Sequence, residues 1–358
     1  MGQQRLRRYI VGTIKDKASL SKAALFNTSS SPSSLQVAVI RATTHHPSSP
    51  PHQNHISAVL SYGFASRATA SLCIHALMDR LHTTRDASVA LKCLITVHNI
   101  IKRGSFILQD QLSVCPNYGG KNYLNLSNFK DNSTPHSWAL SFWVRWYARV
   151  LESIVYASRV LGVFFASAAA AAAASVERIS GVLNGDLLRE LDALVGVMEE
   201  ISWAPDSSSL WEKKLATEAV WLAGGDYCSA QNEIGARLQE LGERFVQLSV
   251  ADTVELSCAL KRIEDCKERL VSMFANKKGS SEAAGGSSMW GLAGEMKRKI
   301  DKRELCGDGR LVVRLGMCRG VQGTESARFG DERVKRIGGE SRLLLLGSTS
   351  LRVESVIN

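Results

Sequence analysis

Arg41-Ala42-Thr43-Thr44-His45-His46, continued through Pro50-Pro51 to His52 and His55, joins two apolar-periodic runs. Leu35, Val37, Ala38, Val39 and Ile40 stand before it, and Ile56, Val59 and Leu60 after it. The prolines, and the serines among them, cannot continue a helix, so the stretch reads as a helix–loop–helix corner. It gathers a guanidinium, two threonine hydroxyls and four imidazoles, a donor set suited to a multiply charged anion.

Upstream, residues 4–26 place Leu6, Ile10, Ile14, Ala18 and Leu25 near helical spacing among Arg5, Arg7, Arg8, Lys15, Lys17 and Lys22. Such a basic amphipathic helix can lie on a membrane interface, although an ordinary first helix with a solvated charged face has the same pattern. A Ser-rich linker, Asn27 to Ser34, leads from it to the corner. No apolar core segment follows the N-terminal charges, so no secretory signal is expected. Leu6 stands where a myristoylation motif needs Ser or Thr.

The net charge of +10 over 358 residues lies at the ends. Residues 1–22 carry +5 and residues 297–358 carry +6, leaving −1 for the body between them. Nucleic-acid proteins more often carry charge along a recognition element, so no nucleic-acid partner is expected. A basic first helix fits an anionic membrane surface. Eight cysteines are scattered without a C-x-x-C pair, and Cys73 and Cys93, among apolar neighbours, read as small core residues.

Downstream of the corner the helical pattern repeats. Ser66 to Leu81 reads as one helix, and Thr83-Thr84-Arg85-Asp86 offers a capping box for the next, Ala87 to Arg103, closed by Gly104. Within this second helix Ala90, Leu94, Val97 and Ile101 form a stripe that Val89, Cys93 and Ile100 widen, which predicts packing on more than one side. His98 falls inside that stripe and reads as a hydrogen-bonded core histidine, since no partner carboxylate or metal is predictable nearby. Trp143, Trp146 and Tyr147 read as packing residues of a later helix. Residues 159–177 hold an uncharged interior with alanines at 168–174, too weakly apolar for a membrane span, and are expected as a helix extension or variable connection. Asp186-Leu187-Leu188 spells a clathrin-box-like peptide, but its leucines continue a helical core stripe with Leu191, Leu194, Val195 and Met198 and are expected to be buried. Amphipathic segments at 210–222, 234–248 and 254–274 follow. Antiparallel helix pairs throughout predict an all-α superhelical solenoid.

Three blocks in order carry a resemblance to the ANTH-domain clathrin assembly proteins of the ENTH/ANTH/VHS superfamily, in their plant-type branch. The first is the corner, where Arg41 stands for the family's first basic residue and His55 for its last histidine. His52-Gln53-Asn54 replaces the family's lysine cluster. The second is Val89-Ala90-Leu91-Lys92-Cys93-Leu94-Ile95-Thr96-Val97-His98. The third is Leu124-Asn125-Leu126-Ser127-Asn128-Phe129, followed by the run from Phe142 to Leu151. The resemblance implies a non-enzymatic endocytic adaptor that binds phosphatidylinositol 4,5-bisphosphate and needs no cofactor. The implied contacts are Arg41, Thr44, His45, His52 and His55, with Lys15, Lys17 and Lys22 adding long-range attraction. Clathrin heavy chain and SNARE proteins are the implied partners. The implied location is the cytoplasmic face of membranes, in clathrin-coated pits and vesicles, with the Golgi as a further site.

The expected organisation is a helical domain over 1–275, a Gly/Ser linker with a basic segment over 276–304, and a divergent tail over 305–358, disordered or spuriously translated. That tail lacks the Asp-Pro-Phe, Asn-Pro-Phe and Asp-Leu-Phe peptides of family tails. Two alternatives remain at this point. A protein-binding helical scaffold without phosphoinositide selectivity fits the depleted lysine cluster. A zinc enzyme built on His45, His46, His52 and His55 would need a Ser/Pro loop to hold its ligands and has no Asp or Glu there as a base.

Overall fold

The structure is a computed structural model that describes residues 2–25, 32–46, 49–114, 122–167, 175–205, 214–274 and 289–306. The described residues contain helices and no strand: α1 (Gly2–Leu25), α2 (Pro32–Ala42), α3 (Gln53–Leu60), α4 (Arg67–Thr83), α5 (Ala87–Arg103), α6 (Phe106–Val114), α7 (Pro135–Leu161), α8 (Ser175–Ser180), α9 (Asn184–Ser202), α10 (Lys214–Glu243), α11 (Val250–Phe274) and α12 (Met289–Cys306). Each packs on helices near it in sequence: α2 on α4, α4 on α5 and α6, α5 on α7, α7 on α9, α9 on α10 and α11, and α12 on α10 and α11. This is the predicted all-α solenoid. No described helix is long and apolar enough to cross a membrane.

The helix starts follow from local chemistry. Ser66 and Thr134 cap α4 and α7 by accepting backbone N–H bonds from Thr69 and Ser137. At α5 the expected capping box is replaced by a simpler device. Thr83 still belongs to α4, and Asp86 itself accepts from the N–H groups of Ser88 and Val89. Asp131 takes the Ala87 N–H at 2.9 Å, so two acids meet the positive end of the α5 dipole.

α5 is the axis of the packing. Every residue from Ala87 to Ile101 is buried, including Lys92, Thr96, His98 and Asn99. The helix therefore meets neighbours on all sides, as its wide stripe predicts. Cys73 and Cys93 are buried free thiols, and burial pushes both up to about 12.

Charged and polar side chains at the contacts between helices fix the later register. Arg237 of α10 is fully buried between Glu190 of α9 and Glu233, at 2.6 Å from each. Arg262 of α11 reaches Glu199 and Asp192 of α9. The Trp146 indole N–H of α7 donates to the Glu200 carbonyl of α9 at 2.9 Å. Leu187 and Leu188 are buried in the same layer, so Asp186-Leu187-Leu188 is part of the core and not an available peptide.

Three expectations are corrected. Residues 214–222 and 234–243 of the two segments expected at 210–222 and 234–248 belong to one helix, α10, which runs through Gly224-Gly225, and a short 3-10 turn, Phe245–Gln247, follows it. Two helical glycines cost about 1 kcal/mol each relative to alanine. Tertiary contacts offset that cost, because Asp226 directly after them is fully buried against α5. Its carboxylate lies 3.0 Å from His98 Nε2 and 2.7 Å from Lys102 Nζ. A Cβ on Gly225 would sit 3.3 Å from that ammonium, so the missing side chain makes room for it. His98 is thus the core histidine that was expected, with a carboxylate partner that local sequence did not show. Its Nδ1 and the Tyr147 hydroxyl are hydrogen-bonded at 2.7 Å. Burial, with Asp226 and Glu218 nearby, raises the phenol well above its usual pKa and keeps it protonated.

The second correction concerns residues 289–306. These form α12 within the region expected as linker and basic segment, because Met289, Met296 and Ile300 share one face and are buried. Lys297 on the exposed side pairs with Glu264 at 2.7 Å, and Arg303 reaches back to the Leu248 carbonyl at 3.1 Å. Third, of the two alternatives given for 159–177, a continuous extension of α7 is excluded, because that helix ends at Gly162 (φ 71), and a connection between helices is the one left open. The alanine run 168–174 and residues 307–358 lie outside the described residues.

Removing the acid at the α5–α10 contact should be costly. Asp226→Ala leaves His98 and Lys102 facing a vacated buried site and should lower stability by about 3–5 kcal/mol. Urea unfolding followed by circular dichroism measures this, and an unchanged midpoint would show that the acid is dispensable.

Candidate functional site

The corner between α2 and α3 is assembled by side chains from three other helices. α1 comes close enough that a Cβ on Gly12 would lie 2.6 Å from His45 Cβ, so only glycine fits there without movement. One turn on, buried Asp16 receives the His45 backbone N–H at 2.8 Å and faces His45 Nδ1 at 2.6 Å. Burial alone would raise the Asp16 pKa. The His45 hydrogen bonds and the charges of His45 and Arg80 outweigh it and hold the carboxyl below its ordinary value. From α4, Arg80 donates through Nη2 to the Thr43 carbonyl at 2.8 Å and through Nε to its hydroxyl. The Thr43 hydroxyl in turn donates to the Val39 carbonyl at 2.6 Å, closing the end of α2.

Lys92 reaches the corner from the middle of α5. Its ammonium donates to the Thr44 carbonyl at 3.0 Å, the Thr44 hydroxyl at 3.1 Å and the His46 carbonyl at 2.7 Å. An ammonium has three donors, and all three are used. Burial lowers its pKa to about 8, against the opposing pull of Asp16 and Asp86.

The residues expected at a headgroup divide into two sets. Thr44 and His45 have their polar groups engaged inside the protein, with Lys92 and Asp16. Arg41, on the last turn of α2, is exposed. His52 is exposed at the start of α3, where its Nδ1 accepts from the Asn54 N–H at 3.3 Å as the helix N-cap. His55 lies one turn on, its ring centroid 5.9 Å from that of His52. Burial first, then the nearby charges of His52 and Arg41, lower the His55 pKa below its ordinary value. Lys15 and Lys17 are exposed on α1, as are Ile10, Val11 and Ile14. Lys22 lies on the same helix, its side chain outside the described residues.

The four histidines of the corner do not converge on one point. His45 turns to Asp16, His46 Nδ1 meets the Ser49 hydroxyl at 3.2 Å, and His52 caps α3. Three residues that organise the corner were not singled out from sequence: Asp16, Arg80 and Lys92. Two carried a signal. Asp16 is the one acid in a basic helix, and Lys92 is the one charge inside an apolar run.

The chain matches the family model described as "ANTH domain" over residues 34–278, from α2 to beyond the end of α11. It is 47% identical over 330 residues to the Arabidopsis thaliana protein named "Putative clathrin assembly protein At4g40080", covering 91% of this chain and 89% of that one. That coverage carries the likeness past residue 278, where the family match ends. A second protein of the same organism, "Putative clathrin assembly protein At5g10410", is 32% identical over 279 residues, 75% of this chain and 80% of its own. A third, "Putative clathrin assembly protein At5g57200", is 29% identical over 279 residues, 76% of this chain but 46% of its own. The helical stack, the corner at its start and these matches together place the chain in the ANTH domain family.

Proposed function

We propose that this chain is a peripheral endocytic adaptor that binds phosphatidylinositol 4,5-bisphosphate membranes and helps assemble clathrin coats on them. The observation that carries the lipid reading is the grouping of exposed Arg41 and His52 with the half-buried His55, held on a corner whose internal charges are already matched. Each inner cation or polar group has its partner, so the outward guanidinium and imidazoles remain for an anion. Thr44 and His45 set the corner's shape in this reading and do not grip the lipid. Lys15, Lys17 and Lys22 on α1 add attraction of about 1 kcal/mol each near an anionic surface. The exposed Ile10, Val11 and Ile14 give the same helix an apolar face toward the interface.

The clathrin part rests on the naming of the Arabidopsis relatives, and clathrin heavy chain is the partner proposed. Because Leu187 and Leu188 are core residues, that contact is assigned outside Asp186-Leu187-Leu188. SNARE recognition belongs to the later helices in this reading, with no residue assigned. The working location is the cytoplasmic face of membranes at clathrin-coated pits and vesicles, with the Golgi as a further site.

Arg41→Glu reverses the exposed fixed charge of the trio without touching a buried group. It should weaken flotation with bisphosphate-containing liposomes by about 2 kcal/mol, on the order of thirtyfold, with unchanged circular dichroism. Equal flotation of a folded variant would place the lipid site elsewhere.

The imidazoles give a pH dependence of definite sign. In the free protein the His55 pKa lies below 6.5, so the ring is neutral at neutral pH. A bound anion raises it, since an adjacent negative charge favours the charged form. Affinity therefore rises as pH falls through the bound-state pKa, and the gain is complete only below the free-state value. Wild type should tighten on liposomes between about pH 7 and pH 5 more than His52→Gln/His55→Gln. Parallel curves for the two proteins would show that neither ring faces the lipid.

A further inference from the structure

We infer that Phe64 and Phe106 form a second membrane contact, an apolar wedge that enters an anionic bilayer beside the cationic corner. With 77% and 81% of their surfaces in solvent, they are the most exposed aromatic side chains among the described residues. They come from different parts of the chain, and one hydrogen bond brings their neighbours together. The Ser105 hydroxyl donates to the Gly63 carbonyl at 2.8 Å, and each phenylalanine directly follows one of these two residues. Gly63 is itself packed so closely that a Cβ there would lie 2.3 Å from Ser105 Oγ and 2.6 Å from Leu108 Cδ1. The two phenyls are therefore carried on a fixed joint between the end of α3 and the start of α6.

The joint is tied to the cationic corner. Arg103, at the end of α5, donates to Gln53 Oε1 at 2.9 Å, which sets the start of α3 beside the segment that leads to Phe106. The outward side of α3 and the turn after it presents Gln53, Asn54, Ser57, Ala58 and Ser61, all exposed and uncharged. No Asp or Glu occurs between Asp16 and Asp79. The nearby Asp110 of α6 is paired with Arg67. The corner with Arg41, His52 and His55 is thus joined, through a short helix with small neutral exposed residues and through Arg103, to two bare phenyls.

Charge decides the occupant. An anionic bilayer offers phosphates to one end of this face and an acyl boundary to the other, and seating on it requires the desolvation of no unpaired carboxylate. Aromatic rings are favoured at that boundary. The inference rests on the membrane reading given above and adds a contact that ionic strength does not screen.

The test uses the full chain and sedimentation with phosphatidylcholine vesicles containing phosphatidylinositol 4,5-bisphosphate, at about 0.15 M and about 0.5 M salt. Both phenyls are exposed, so Phe64→Ser/Phe106→Ser should keep the wild-type melting curve. It should lose about tenfold in vesicle partition at both salts. Phe64→Trp/Phe106→Trp should partition at least as well as wild type. Wild-type binding that the serine variant retains in full overturns the wedge while leaving the headgroup reading in place, and it is also the outcome if these phenyls serve a protein partner. Weaker partition of the tryptophan variant overturns it as well. Failure of wild type to bind these vesicles at all would sink the headgroup reading, and the wedge with it.

Discussion

A buried ammonium governs this molecule. Lys92 projects from the most enclosed helix of the fold, and removing its charge from water costs several kcal/mol unless every donor is met. The three acceptors that meet it are two backbone carbonyls and one hydroxyl at Thr44 and His46. A loop that must offer those oxygens to one point has little freedom left. The requirement of a single lysine thus fixes the path of Thr44 to His46, which no helix or sheet ladder holds. Arg80 acts on Thr43 in the same way from α4, and Asp16 acts on His45 from α1.

This division of labour explains the electrostatics of the corner. The strong cations near it, Lys92 and Arg80, point inward and are neutralised by carbonyls and by Asp16. What faces solvent is one fixed charge, Arg41, with two imidazoles whose protonation depends on what lies against them. Burial first, then the charges of His52 and Arg41, hold the His55 pKa below its ordinary value in the free protein, and an anion placed against the ring would oppose that shift. Replacement of a lysine cluster by His52-Gln53-Asn54 therefore exchanges permanent attraction for attraction that an anion or acid must induce. It also gives His52 a local duty as the N-cap of α3.

Further along the solenoid the same device recurs with other partners. Asp226 faces His98 and Lys102, Arg237 faces Glu190 and Glu233, and Arg262 faces Glu199 and Asp192. Apolar stripes alone would let packed helices slide by a turn at modest cost. Fully buried charges with fixed partners, such as Asp226 and Arg237, do not tolerate such a shift, because the slipped state leaves them unpaired. The continuity of α10 through two glycines is one result, since breaking the helix there would withdraw Asp226 from α5.

Much of this was legible in the sequence because it depends on local periodicity and local breakers. The stripe from Val89 to Ile101 determined a helix buried on several sides, and the prolines after His46 determined the corner. Leu187 and Leu188 were readable as core from their spacing with Leu191 and Leu194, which removed a tempting peptide motif. Periodicity could not show which polar side chains meet. Asp16 and His45 are 29 residues apart, Lys92 and Thr44 are 48 apart, and His98 and Asp226 are farther still. Local reading also broke α10 at its glycines and read α12 as a linker with a basic segment, because the contacts that hold both helices come from distant parts of the chain. The sequence by itself determined the helices, their buried faces and the residues available for an anion. Only the tertiary structure decided which of those residues face outward, because a buried charge must find its partner in space and takes nearby polar groups to do so.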